Sequence, residues 1–201
     1  MDEAIPDVGD TDLRRTVRLV AILNLAYFGV EFGVARVIGS VSLFADSIDF
    51  LEDASINFLI LVALGWSLAR RARVGMALAG ILLIPGLATL WVAWQKFSLP
   101  KPPEPIPLSL TGTGALVVNL VCALMLVRYR RHSGSLTRAA FLSARDDAFA
   151  NIVIIGAGLI TVPLRSAWPD PIVGLGIAAI NADAAKQVYS AAREEHRSAR
   201  P

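Results

Sequence analysis

At 201 residues, 55% of them hydrophobic, and with a mean hydropathy of +0.57, the chain is too apolar for an ordinary soluble domain and too long for a single membrane anchor. A net charge of +2 and a pI near 9.0 do not mark a nucleic-acid binder, because the basic residues sit between apolar windows instead of forming one patch. The chain reads as an all-α membrane protein built from spans of about 20 residues each.

Residues 1–13 are polar and acidic, and read as a mobile cytoplasmic tail with a helix starting near Thr11 or Asp12. Apolar windows follow at 17–36, 43–67, 74–95, 108–128, 139–162 and 171–189. They predict six transmembrane helices in one domain over residues 14–190, with a short cytoplasmic tail at 191–201. The first window holds Asn24 and Glu31 and is longer than a signal-peptide core, so it is read as a span. Most of the 19 Lys and Arg fall in four places: Arg14, Arg15 and Arg18; Arg70, Arg71 and Arg73; Arg128, Arg130, Arg131 and Arg138; and Lys186, Arg193, Arg197 and Arg200. By the positive-inside rule both termini are cytoplasmic, and an even number of spans, which puts both on one side, fits that.

In the third span Pro85-Gly86 predicts a kink, while Trp91 and Trp94 suit an outer aromatic belt. The proline-rich LPKPPEPIP stretch, 99–107, predicts an extended, stiff spacer between the third and fourth spans. Cys122 has no partner for a disulfide and behaves as a small hydrophobe. RSAWPDP, 165–171, predicts a sharp turn and a new helix start. After Tyr189 only a short charged stretch remains, with no room for a cytosolic domain. Gly29 with Gly33, Gly156 with Ile160, and Gly174 with Ala178 have the spacing that lets helices approach closely.

The chemistry lies in carboxylates inside two spans. An ionisable side chain at bilayer depth costs roughly 2.5–3.5 kcal/mol on insertion scales, so such groups mark an ion path or a paired site. In the second span Ser42, Asp46, Asp49 and Asp53 stack on one helical face, with Glu52 toward its edge. In the fifth, Ser143, Asp147 and Asn151 repeat the four-residue spacing. Two helices that each supply such a pair can close a four-ligand metal site from Asp49, Asp53, Ser143 and Asp147. Asp46 and Asn151, one turn away, are candidates to orient those ligands. The plainer reading is structural pairing, and Asp146 beside Arg145 fits an ion pair of that kind. His132 and His196 fall in charged segments and read as surface residues.

These segments resemble a known family. GSVSLFADSIDFLEDA is similar to the second-span signature of the cation diffusion facilitators, in which Asp49 and Asp53 match the metal ligands. LTRAAFLSARDDAFANI resembles their fifth span, whose His-x-x-x-Asp pair falls on Ser143 and Asp147. WPDPIVGLGIAA resembles the start of their sixth, and Asn24, Tyr27 and Glu31 lie where their first span often has polar residues.

The resemblance implies a secondary transporter that exports a divalent transition metal from the cytoplasm in exchange for protons. It implies no enzymatic activity and no permanently bound cofactor, and its partners would be the metal, protons, the lipid bilayer and a second copy held through membrane helices. Two departures stand out: Ser143 replaces the histidine, and the family's C-terminal cytosolic domain has no counterpart. Three carboxylates and a hydroxyl suit Mn²⁺ or Fe²⁺ better than an imidazole site would, with Zn²⁺ and Co²⁺ the other expected substrates. The alternative is a non-transporting membrane scaffold or partner subunit of the same fold. An enzyme is disfavoured because no Ser-His or Cys-His set, His-Glu-x-x-His or phosphate loop occurs. Composition rich in Arg and Ala points to a bacterial inner (plasma) membrane.

Overall fold

The computed structural model describes residues 8–63, 87–98, 101–129 and 134–198. Among them lie six helices and no strand: α1 (Val8–Ile38), α2 (Val41–Ala63), α3 (87–98), α4 (Pro105–Leu126), α5 (Gly134–Leu164) and α6 (Pro169–Ser198). The Pro85-Gly86 kink and His132 lie outside the described residues, as does the side chain of His196. α1, α4 and α5 each hold a stretch long and apolar enough to cross a membrane. α2 has the length, but carries the four acidic residues Asp46, Asp49, Glu52 and Asp53.

α1 begins earlier than expected, inside the segment read as tail, and its Leu13 is already buried. The proline-rich stretch also differs from expectation. Among the described residues of that stretch, 101–104 have no regular structure, Glu104 is extended, and α4 starts at Pro105 with Glu104 as its N-cap. Prolines 105 and 107 fit there because the first turn of a helix has no intrahelical partner for their missing N–H groups.

α1 packs along α2 and α4 along α5, and α2 also touches α4, α5 and α6. Every residue from Val41 to Phe50 is consequently buried. One apolar cluster joins Val17, Val20, Ile60, Cys122, Leu126 and Ala144. A second joins Leu43, Phe44, Ile48, Leu108, Ile154 and Ile177. Between them, in register on three helices, lie the buried polar residues Glu31, Asp49, Asp53 and Asn151. The outward faces are apolar instead, with Leu25, Phe58, Leu124, Phe149, Leu159, Trp91 and Trp94 exposed. A polar middle inside an apolar exterior is the arrangement a bilayer imposes.

The α1–α2 turn is compact. Gly39 takes φ +66° and the Ser40 N–H bonds the Ala35 carbonyl at 3.0 Å, closing the end of α1 with a glycine that tolerates this region. Ser40 Oγ then accepts the Leu43 N–H at 3.1 Å as the N-cap of α2.

Of the small-residue pairs, Gly174 does set a close approach. A Cβ there would stand 2.6 Å from the Val41 carbonyl carbon and 2.8 Å from the Ser42 nitrogen. Gly29, Gly33 and Gly156 differ from expectation, because among the described residues a Cβ on any of them would meet nothing within 4 Å. Gly174→Ala is therefore expected to lower the melting temperature in detergent, by an overpacking cost of about 1–3 kcal/mol. Gly176→Ala, where a Cβ meets nothing within 4 Å, is the control and should melt as the parent does.

Candidate metal site

α2 and α5 run side by side through the polar middle, and their four-residue spacings bring the expected groups face to face. Ser143 Oγ donates to Asp53 Oδ1 at 2.9 Å. The Asp53 side chain also lies against that of Asp147. Asp53 is 3% exposed, and Asp147 Oδ2 is buried without a partner. Two acidic groups thus meet inside the bundle with one hydroxyl between helices to satisfy them. The spare acceptor capacity is what a cation or a proton would use.

Asp49 is buried beside them, close enough to feel the charge of Asp147 and Asp53. Its Oδ1 is held by the side-chain amide of Asn181, which reaches in from α6. Among the described residues no three His, Cys, Asp or Glu side chains converge on one point as ready metal ligands. The structure therefore joins Asp53, Ser143 and Asp147 directly and sets Asp49 next to them, tied to a third helix.

The supporting residues fall differently from a simple shell around the ligands. Asn151 Nδ2 donates to the Asp147 carbonyl at 2.8 Å, one turn back on its own helix, leaving Oδ1 without a donor. Asp46 points at Asn151 and at Glu31 of α1, not at Asp49 or Asp53. Asp146 is separate from the site: its Oδ1 pairs with Arg145 Nη2 at 2.7 Å on the exposed side of α5, as the ion-pair reading expects. Ser42, at the start of the acidic face, serves α6 instead, with Oγ donating to Asp170 at 2.7 Å. Tyr27 Oη donates to the Thr111 carbonyl at 2.6 Å, linking α1 to α4.

Sequence reasoning missed Asn181. A single amide in an otherwise small-residue stretch of α6 gives no spacing signal, and only packing of α6 against α2 reveals its target. It also read Asp170 as part of a turn. Asp170 is fully buried and accepts from Ser40 Oγ at 2.6 Å, the Val41 N–H at 2.9 Å, the Ser42 N–H at 3.2 Å and Ser42 Oγ. It is the anion at the N-terminus of α2, where four backbone N–H groups lack intrahelical partners.

The family described as the cation efflux transmembrane domain matches residues 17–194. The zinc transporter ZitB of Pectobacterium atrosepticum is 27% identical over 184 residues, which cover 82% of this chain and 56% of that protein. The chain thus spans little more than half the length of this curated relative. The match runs from Val17 in α1 to Glu194 in α6 and takes in both helices that carry the facing aspartates, and on that ground the chain belongs to the cation efflux family of multi-pass membrane proteins.

Proposed function

We propose that this chain is a secondary transporter that exports a divalent transition-metal cation from the cytoplasm in exchange for protons. Its setting in this reading is a bacterial inner membrane, with both termini on the cytoplasmic side. The observation that carries the reading is the meeting of Asp53 with Ser143 and Asp147 across α2 and α5, with Asp49 alongside. Carboxylates shut away from water require a neutralising partner, and the groups around them supply, among the described residues, hydroxyl and amide donors but no cationic side chain. A dication satisfies that need in one state and protons in the other, so binding of one displaces the other. Presenting the site first to one side of the membrane and then to the other turns the competition into exchange.

Metal identity follows from donor type. The similar protein ZitB is a zinc transporter, while the donors here are carboxylate and hydroxyl oxygens. Oxygen donors favour Mn²⁺ or Fe²⁺ relative to a site containing imidazole. Ser143→His, which restores a nitrogen donor beside Asp53, is expected to raise the Zn²⁺ over Mn²⁺ binding ratio by more than about tenfold. Competition titration on the purified protein reads it.

The reading is tested by metal flux into proteoliposomes across an imposed pH gradient, screening Mn²⁺, Fe²⁺, Co²⁺, Zn²⁺ and Cd²⁺. Flux that collapses with the gradient supports proton exchange. Folded protein that moves none of them would instead be a membrane scaffold or partner subunit. The bond from Asn181, which occupies Asp49 Oδ1, is the feature that favours that second reading.

A further inference from the structure

A second group of buried carboxylates stands apart from the aspartates that face α5's Ser143. Glu31 of α1 and Asp46 of α2 are each 0% exposed, and all four of their oxygens lack a hydrogen-bond donor. The Asp46 side chain meets those of Glu31 and Asn151. Asn151 gives one of its two amide N–H groups to the Asp147 carbonyl and keeps the second, which closes on neither Asp46 oxygen. Between Glu31 and Asp46 acceptor thus faces acceptor.

The nearby hydroxyl donors are already used. Tyr27 Oη donates to the Thr111 carbonyl and Ser47 Oγ to the Phe44 carbonyl at 2.7 Å. The titratable groups facing the pair are Tyr27 from α1, Asp49 from α2 and Asp147 from α5. None is cationic, and among the described residues no Lys, Arg or His is buried. Two carboxylates are too few to cage a metal, in keeping with the absence of a three-ligand cluster among the described residues.

We propose that Glu31 and Asp46 form a proton-holding site separate from the metal-facing aspartates, and that it carries the counter-ion of the exchange. A proton on either carboxylate turns one acceptor into a donor to the other. The mismatch is then a hydrogen bond. The link to metal is short: Asp46 lies one turn from Asp49 on α2, and Asn151 holds the backbone of Asp147 on α5. A dication among the aspartates repels protons held this close, so each expels the other. The counter-ion role rests on the exporter reading above; proton occupancy of the pair does not.

Infrared difference spectroscopy on the full-length protein, with and without Mn²⁺ at neutral pH, tests occupancy. Expected is a carbonyl stretch of a protonated, dry carboxyl in the metal-free protein, lost on Mn²⁺ binding. It should be weakened in Glu31→Gln and in Asp46→Asn, whose amides supply the missing donor without a proton, with the metal-facing aspartates giving what remains. Glu31→Gln should still bind Mn²⁺, which reports its fold, yet lose the response of Mn²⁺ flux to a pH gradient. Absence of the band from the parent, or its undiminished strength in both variants, overturns the site. Undiminished gradient-driven flux in Glu31→Gln overturns the counter-ion role. A parent protein that shows the band but no flux at all overturns the exporter reading and leaves the proton site standing.

Discussion

Asp53→Asn and Asp147→Asn are each expected to lower metal flux in proteoliposomes by more than about 100-fold, beyond the roughly 10–100-fold that loss of a group merely supporting a ligand costs. Either change removes one of two carboxylates that lie together on α2 and α5, and with it a full charge directed at the cation. Stability should move the other way. The amide at position 53 still accepts from the Ser143 hydroxyl and adds N–H groups that can donate to Asp147, so two like charges become a hydrogen-bonded pair. The expected result is a melting temperature equal to or above the parent's with flux abolished. A variant that loses both fold and flux together would mean that the aspartates hold the bundle, not the metal.

The second large effect is on folding. Asp170→Ala is expected to destabilise the protein by about 3–5 kcal/mol, the range for removing one partner of a buried charged network. Its carboxylate accepts from two backbone N–H groups and two serine hydroxyls, all buried, at the start of α2. Removing it strands donors that water cannot reach, and the cost is the desolvation of each. Asp170→Asn keeps one acceptor oxygen and should fall between the two. Thermal melts in detergent, with the parent and both variants in parallel, give the order. Equal melting temperatures for all three would rule out the carboxylate as the bond between α6 and α2.

The parts of this molecule that are legible in its sequence depend on local periodicity. The pairing of Asp49 with Asp53 and of Ser143 with Asp147 is a property of one helix turn, and α6 starts at Pro169 because Trp168, Pro169 and Asp170 form a stop and a start together. What joins one helix to another was not legible. Asn181 reaches Asp49 across 132 residues and Ser40 reaches Asp170 across 130, and neither has a spacing to betray it. Asp46 illustrates the same limit from within one face. It shares the stripe of Asp49 and Asp53, yet α1 supplies Glu31 at that level and draws it to a different task. The prolines at 105 and 107 were misread for another reason: polyproline geometry and a helix's first turn share nearly the same φ, and the following residues decide between them.

The bonds at Asp170 also fix one end of a lever. α2 is held at Val41 and Ser42, whereas Asp49 and Asp53 lie about 12 and 18 Å farther along its axis at 1.5 Å per residue. A tilt of roughly 10° about that fulcrum would carry the two carboxylates about 2 and 3 Å, comparable to the length of a metal–oxygen bond. In the exporter reading proposed above, such a swing of one helix is enough to make or break coordination between α2 and α5 while the four hydrogen bonds at its pinned end stay closed.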